Sequence, residues 1–149
     1  MLKCYLLTVC QGSSLDKYNN NFTLFNLIEE IHVPEKALGQ AVPFELHLYL
    51  FVSEAGRNSE YEIRLVRVTE DGTEDPGTTI KFKTTDALRH RIRFNAIKLP
   101  KVFGLCELRT EWRAVGVDEW KRDKAVWFLL IQPSKGGDTP VASPESPEK

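Results

Sequence analysis

Residues 43–53 read PFELHLYLFVS and decide the fold class. Every second residue from Phe44 to Val52 is large and apolar, whereas the residues between them are mostly polar or aromatic. Because successive side chains of a β-strand point to opposite faces, this alternation predicts a strand with one fully apolar face. The apolar set is Phe44, Leu46, Leu48, Leu50 and Val52, and the opposite set is Glu45, His47, Tyr49, Phe51 and Ser53.

The same two-residue period recurs along the chain. After residues 61–65 the parity flips to Val66 and Val68, which predicts a β-bulge. Asp71-Gly72 and Pro76-Gly77 are turn dipeptides, and there is no alternation of strands with long helices. The pattern predicts an all-β, two-layer antiparallel β-sandwich, immunoglobulin-like, with seven to eight strands. Further strands are predicted within residues 4–10, 60–68, 78–84, 89–95, 105–115 and 125–131.

Residues 22–33 fit two interpretations. As a helix, Leu24, Leu27, Ile28 and Ile31 share one face after an asparagine cap. As a strand, every second residue from residue 25 onward is apolar and lies on one face, except at Glu29. Because every neighbouring segment is a predicted strand, we favour the strand.

Composition limits the architecture to one folded domain and a tail. The chain has 149 residues, 20 Lys+Arg and 21 Asp+Glu, so net charge selects no class of partner. Residues 1–132 carry the strand pattern, and we predict one β-sandwich domain there. Residues 133–149 are rich in proline and serine, and we predict a mobile tail. The PxxP at Pro144 and Pro147, and Ser143 and Ser146 before prolines, also suit a docking or modification site.

Cysteine usage and the amino terminus favour a cytoplasmic protein. Cys4, Cys10 and Cys106 are odd in number and match no metal-binding spacing. Cys4 and Cys10 on one strand would lie about 20 Å apart, too far for a disulfide. The apolar stretch 4–10 is short for a signal peptide and precedes no cleavage site, so we expect a first strand, cytoplasmic localisation and no membrane insertion.

A resemblance supports this fold. Its features are Val9-Cys10, Asp16, the strand Leu24–Ile28 ending at Val33-Pro34, and Arg64-Leu65-Val66 before Asp71-Gly72. Over residues 4–132 the chain resembles a family of uncharacterised bacterial proteins, each a single β-sandwich. The resemblance implies a sandwich fold and a bacterial cytoplasmic origin, and it implies no activity, because that family has none assigned.

The sequence contains no recognised catalytic motif. A nucleophile elbow, a HExxH zinc motif and a phosphate-binding glycine loop are all absent from the sequence. His32, His47 and His90 stand singly on predicted strands, where a structural role is the usual one. The acidic loop 70–75 lacks the ligand spacing of a calcium site. We therefore expect no enzyme activity, no catalytic residues, no metal site and no cofactor.

Charge asymmetry is the strongest functional signal. Residues 29–75 contain eleven acidic and four basic residues, whereas residues 81–101 contain seven basic residues and one acidic residue. If residues 78–95 form a hairpin, one of its faces carries five cations, and this face suits a polyanion. Phe82 and Phe94 point the other way, so they supply no base stacking there, and Glu60 and Glu62 offer pairing partners. The five cations are Lys81, Lys83, Arg89, Arg91 and Arg93.

Two functional hypotheses follow. The first is a non-catalytic binding or assembly module that contacts a protein partner or associates with itself through unpaired edge strands. The alternative is a polyanion or nucleic-acid binder that uses the cationic face of the 78–95 hairpin. Self-association would be seen by light scattering.

Overall fold

The computed structural model describes residues 1–16, 18 and 21–135. Within these ranges the chain forms twelve strands and two single-turn 3-10 helices, at Glu35–Ala37 and Glu54–Gly56, and no α-helix. No helix in the described ranges has the length and apolar character needed to cross a membrane. The strands are β1 (Leu2–Leu15), β2 (Phe22–Leu27), β3 (Glu30–Val33), β4 (Ala41–Val42), β5 (Glu45–Val52), β6 (Glu60–Thr69), β7 (Glu74–Pro76), β8 (Ile80–Lys83), β9 (Arg89–Phe94), β10 (Ile97–Lys98), β11 (Gly104–Ala114) and β12 (Lys121–Pro133).

Two sheets carry most of these strands. Sheet A has the order β2-β1-β5-β9 and is antiparallel throughout. Sheet B has the order β3-β12-β11-β6, and both β7 and β8 pair with the outer edge of β6. Among the described residues, the short strands β4 and β10 pair with each other and with no further strand.

The core lies between the sheets and is built by the alternation that the sequence shows. Leu46, Leu48 and Leu50 of β5 are fully buried and belong to one apolar cluster with Ile63 of β6 and Leu108 of β11. Removing these side chains from water is the main force that holds the sheets together. The predicted all-β, two-layer sandwich is therefore confirmed.

Two tryptophans anchor this core. Trp112 of β11 is buried in the apolar cluster, and Trp127 of β12 packs against it. The indole Nε1–H of Trp127 donates a hydrogen bond of 2.7 Å to the carbonyl oxygen of Ile28. This bond satisfies the one polar group of a largely apolar side chain.

Three details differ from the sequence-based prediction. β3 and β12 pair in parallel. The chain leaves sheet A after β2 and, after a connection of two residues, enters sheet B in the same direction as β12. The strand count exceeds seven to eight because β3, β4, β7 and β10 have only two to four residues, too few to show a period. The predicted bulge at Leu65 and Val66 is wrong. β6 pairs with β11 without a break, and Val66 is buried on the opposite face, beside Pro76 of β7.

Other predictions hold. Residues 22–33 form strands β2 and β3, and Asn26 adopts a positive φ of 50°, which interrupts the two-residue period there. Cys4, Cys10 and Cys106 are free and buried. Of the predicted tail, residues 133–135 are described. Residues 136–149 lie outside the described part, and with them Ser143, Ser146 and the PxxP.

Candidate functional site

The five predicted cationic residues do not share a face. Lys81 and Lys83 lie on β8, which pairs with β6 in sheet B, whereas Arg89, Arg91 and Arg93 lie on β9, which pairs with β5 in sheet A. Residues 84–88 thus connect the two sheets, and the expected 78–95 hairpin does not form. Apolar residues of both strands point into the core, so the basic residues face opposite sides of the sandwich.

The lysine half lies against carboxylates. Lys83 is opposite Glu60 and Lys81 is opposite Glu62 in the β8–β6 ladder. The Lys81 Nζ lies 3.4 Å from a Glu62 oxygen, and Arg113 Nε donates a 2.6 Å hydrogen bond to the other oxygen of Glu62. This arrangement matches the pairing that the sequence suggested for Glu60 and Glu62, and it belongs to a solvated charge ladder on sheet B.

The arginine half lies beside aromatic rings. The register of β5 and β9 places Arg91 opposite Tyr49 and Arg89 opposite Phe51, on the outer face of sheet A. The Arg91 guanidinium carbon lies 3.6 Å from the centre of the Phe22 ring, which comes from β2. Tyr5 of β1 lies 6.1 Å from Tyr49, measured between ring centres.

These side chains form a groove of about 430 Å³. Arg93 lies 3.8 Å from Glu45, but Arg89 and Arg91 have no ion-pair partner within the described ranges. We call this surface the aromatic–arginine groove. It is lined by Tyr5, Leu15, Phe22, Tyr49, Arg89, His90 and Arg91.

Sequence reasoning missed the aromatic half of this groove. Phe82 and Phe94 do pack toward the core, as predicted. The rings beside Arg91 come instead from β1, β2 and β5, which are 40 to 90 residues away in the chain. The sequence pattern places Tyr49 on the outward face of β5. It does not show which strands lie next to β9, and the sheet order was needed for that.

A second feature of the same face is a cluster of three different donor groups. Cys10 of β1 lies directly opposite Glu45 of β5, and His47 follows two residues later on the same face. One ligand atom from each, a sulfur, a carboxylate oxygen and a ring nitrogen, lie within 4.8 Å of one another. His47 Nε2 and Glu45 Oε2 are 2.8 Å apart. We call this the Cys10–Glu45–His47 cluster.

The protonation of this cluster follows from its burial. Desolvation raises the pKa of the Cys10 thiol, and the nearby Glu45 charge adds to this effect. Desolvation also lowers the pKa of His47, and Glu45 only partly opposes the shift. Burial acts to raise the pKa of Glu45, but Ser13, His47 and Arg93 lower it by a larger amount. A protonated thiol and a neutral imidazole therefore lie beside a carboxylate.

The outer face of sheet B carries ion pairs. Glu111 of β11 accepts hydrogen bonds from Arg64 of β6 and Arg122 of β12. Trp120 lies in this network, with the guanidinium carbons of Arg64 and Arg113 at 4.1 and 4.5 Å from its ring centre. The outer face of β11 therefore carries a ladder of alternating charges. Trp120 contacts arginines and does not cover the core.

The acidic loop uses its central carboxylate within a turn. Asp71 accepts hydrogen bonds from the Thr69 hydroxyl at 2.6 Å and from the Thr73 backbone N–H at 2.9 Å. Gly72, with a φ of 82°, completes this turn between β6 and β7. The only group of three or more potential metal ligands within the described ranges is the Cys10–Glu45–His47 cluster. The oxygens of loop 70–75 therefore do not converge.

The comparisons with known proteins supply no family. No family model matches the chain, and no curated protein matches it. Among solved structures, a family 123 glycoside hydrolase from Clostridium perfringens is similar at 9% identity and a TM-score of 0.31, over 85% of this chain. The chain spans 27% of that hydrolase. At this TM-score the similarity supports no statement about fold or activity.

Proposed function

We propose that this protein is a non-catalytic binding module that holds single-stranded nucleic acid on the outer face of sheet A. The observation that carries the proposal is the aromatic–arginine groove, in which aromatic rings and guanidinium groups without carboxylate partners lie side by side. The lysine half of the five predicted cations, Lys81 and Lys83, lies on the other sheet and is not part of the proposed binding surface.

The charge of the groove suits phosphate groups. Arg89 and Arg91 extend from alternate positions of an edge strand, and neither forms an ion pair within the described ranges. A guanidinium group can donate two parallel hydrogen bonds to one phosphate. Two such groups, about 7 Å apart along the strand, match the spacing of successive phosphates in an extended single strand.

The rings of the groove suit nucleobases. Tyr5 is exposed, and Phe22 and Tyr49 are half-buried, so part of each of these side chains is accessible to solvent. Stacking of a base on an aromatic side chain is worth about 1–3 kcal/mol and depends little on base identity. A four-stranded sheet with aromatic residues on its open face is a common platform for single strands.

The state of the cysteines supports binding in preference to catalysis. A nucleophilic cysteine needs an accessible thiolate. Cys10 is fully buried, and its pKa is raised by desolvation. The pKa values of Cys4 and Cys106 are each raised by burial to about 11. These thiols suit structural roles.

The test is oligonucleotide binding measured by fluorescence anisotropy. Labelled oligothymidylate is titrated with the wild type, with Arg89→Gln/Arg91→Gln, and with Lys81→Gln/Lys83→Gln as the matched control. Both double variants remove two positive charges, but from opposite faces of the sandwich. We expect the arginine variant to lose at least tenfold in affinity and the lysine variant to lose less than about twofold.

Salt dependence and stacking give two further readouts. The slope of log K against log salt becomes less steep by about 1 to 1.5 in the arginine variant, because two phosphate contacts are lost. Tyr49→Ala lowers affinity by about fivefold or more, as expected for one lost stack. Absence of binding at low salt, or equal losses in the two double variants, would refute the proposal.

A further inference from the structure

Two members of the Cys10–Glu45–His47 cluster, Cys10 and His47, lie outside the apolar core but are as deeply buried as the core, whereas the Glu45 side chain is 20% exposed. Cys10 and His47 are both 0% exposed, yet neither belongs to the main apolar cluster between the sheets. Both project from the outer face of sheet A, where the ring of Phe22 covers His47 at a centre-to-centre distance of 5.2 Å. A sulfur, a nitrogen and an oxygen donor thus lie together on the outer face of sheet A, beside the ring of Phe22.

Two polar atoms at this place lack a partner. The Nδ1 atom of His47 and the Oγ1 atom of Thr8 are buried without a hydrogen bond among the described residues. Thr8 lies directly opposite His47 in the β1–β5 ladder, so the two atoms belong to one small region. Buried polar atoms without partners are uncommon, and a water molecule or an ion bound beside them is one way in which they are satisfied.

We propose that Cys10, Glu45 and His47 bind one divalent transition-metal ion, with zinc the ion that this donor set favours. Thiolate, imidazole and carboxylate are the three protein ligand types of zinc. In tetrahedral geometry, bond lengths of about 2.0 to 2.3 Å separate the ligand atoms by about 3.3 to 3.6 Å. The three ligand atoms lie within 4.8 Å of one another, and His47 Nε2 and Glu45 Oε2 are 2.8 Å apart, so these separations are close to the tetrahedral value.

The charges of the cluster balance those of the ion. Binding displaces the proton of the Cys10 thiol, which is released to solvent, while His47 binds as the neutral imidazole. Thiolate and carboxylate together carry two negative charges, so the site with a divalent cation is neutral. A neutral assembly is what a buried location requires, because an unbalanced charge is costly there.

Neighbouring groups complete the site. Glu45 directs Oε2 toward His47, and its other oxygen, Oε1, lies 3.8 Å from Arg93 Nη1. Arg93 can therefore hold the carboxylate in place from outside the first ligand shell. The fourth position of the metal is left to a water molecule, for which the Thr8 hydroxyl is an available hydrogen-bond partner.

This inference is independent of nucleic-acid binding. The aromatic–arginine groove uses Arg89, Arg91 and three aromatic rings, none of which is a proposed metal ligand. Metal binding and oligonucleotide binding are measured separately, so either can fail without the other.

The test is cobalt substitution of the untagged full chain. Co²⁺ is titrated into the wild type, Cys10→Ser and His47→Gln, with Cys4→Ser and His32→Gln as matched controls. Cys4 is a buried cysteine of the same strand, and His32 is an exposed histidine beside Glu30. We expect one Co²⁺ per chain and a thiolate-to-cobalt charge-transfer absorption in the near ultraviolet, since cobalt takes the same ligands as zinc.

The variants decide which residues bind. We expect Cys10→Ser to abolish the charge-transfer absorption and His47→Gln to weaken binding at least tenfold, while both controls retain wild-type behaviour. Absorption that persists in Cys10→Ser, or equal weakening by the controls, would overturn the proposal. If circular dichroism shows that a ligand variant does not fold, the Co²⁺ titration of the wild type still tests the proposal. Stoichiometric Co²⁺ without the thiolate absorption, or no bound metal after dialysis, overturns it.

Discussion

Glu111→Gln tests whether the ion pairs on the outer face of sheet B stabilise the fold. Glu111 lies on the central strand β11, and its side chain is 7% exposed. It bonds to Arg64 at 2.7 Å and to Arg122 at 2.9 Å, whose side chains are 25% and 48% exposed. Glutamine keeps the shape but removes the charge that both guanidinium groups share.

The magnitude lies between two limits. Exposed ion pairs contribute about 0.2–1 kcal/mol each, and removing one partner of a fully buried pair costs about 3–5 kcal/mol. Since the carboxylate is buried but its partners are partly hydrated, we expect a loss of about 1–3 kcal/mol in the free energy of unfolding. For a chain of this length, that lowers Tm by about 3 to 10 °C.

The loss depends on pH in a defined direction. Burial acts to raise the pKa of Glu111, but the hydrogen bonds and charges of Arg64 and Arg122 lower it below its usual value. A carboxyl group with a lowered folded-state pKa stabilises the fold above its unfolded pKa. That stabilisation is lost as pH falls through the folded-state pKa. The difference between wild type and Glu111→Gln is therefore full near pH 7 and shrinks below about pH 4.

The assay is chemical and thermal unfolding of both proteins at several pH values, with Glu107→Gln as the matched control. Glu107 lies on the same strand and face, is 30% exposed, and approaches Arg109 only to 3.7 Å. Its replacement should cost less than about 0.5 kcal/mol. Equal costs for the two variants, or a Glu111→Gln deficit that does not shrink in acid, would refute the reasoning.

Two further predictions concern the core and its cysteines. Leu48→Ala removes a fully buried side chain between the sheets and should lower the free energy of unfolding, measured in urea, by about 2–5 kcal/mol. Leu27 is 56% exposed, so Leu27→Ala should lower it by less than about 1 kcal/mol. Similar values for both variants would contradict the assignment of faces. Iodoacetamide at pH 8 should modify Cys4, Cys10 and Cys106 only slowly in the native protein and completely in denaturant, because burial raises the pKa of each thiol; rapid native modification, seen by mass spectrometry, would contradict this expectation.

Local sequence patterns were sufficient to predict the longer strands and, for alternating strands, the face that points to the core. The alternation from Phe44 to Val52 identifies β5 and the side of it that is buried, and the same holds for β11. The period of two is a property of the extended backbone itself, so it is legible in any stretch of about five residues or more. Shorter strands such as β7 and β10 have too few residues to show it.

Strand partners were not available from such patterns. The predicted 78–95 hairpin failed because β8 and β9 have the same alternation whether they pair with each other or with different sheets. His47 and Cys10 each appeared as an isolated residue, since the sequence gives no register between β1 and β5. The aromatic rings that accompany Arg91 were hidden for the same reason.

Local patterns were enough to predict the longer strands, the core-facing residues of β5 and β11, and that Cys4 and Cys10 do not pair with each other. The three-dimensional fold was needed to show which strands are neighbours, and with that the aromatic–arginine groove and the Cys10–Glu45–His47 cluster. The physical reason is that side-chain direction is set by adjacent residues of one strand. The composition of a sheet face depends on backbone hydrogen bonds between segments far apart in the chain, and those bonds are identical for every side chain.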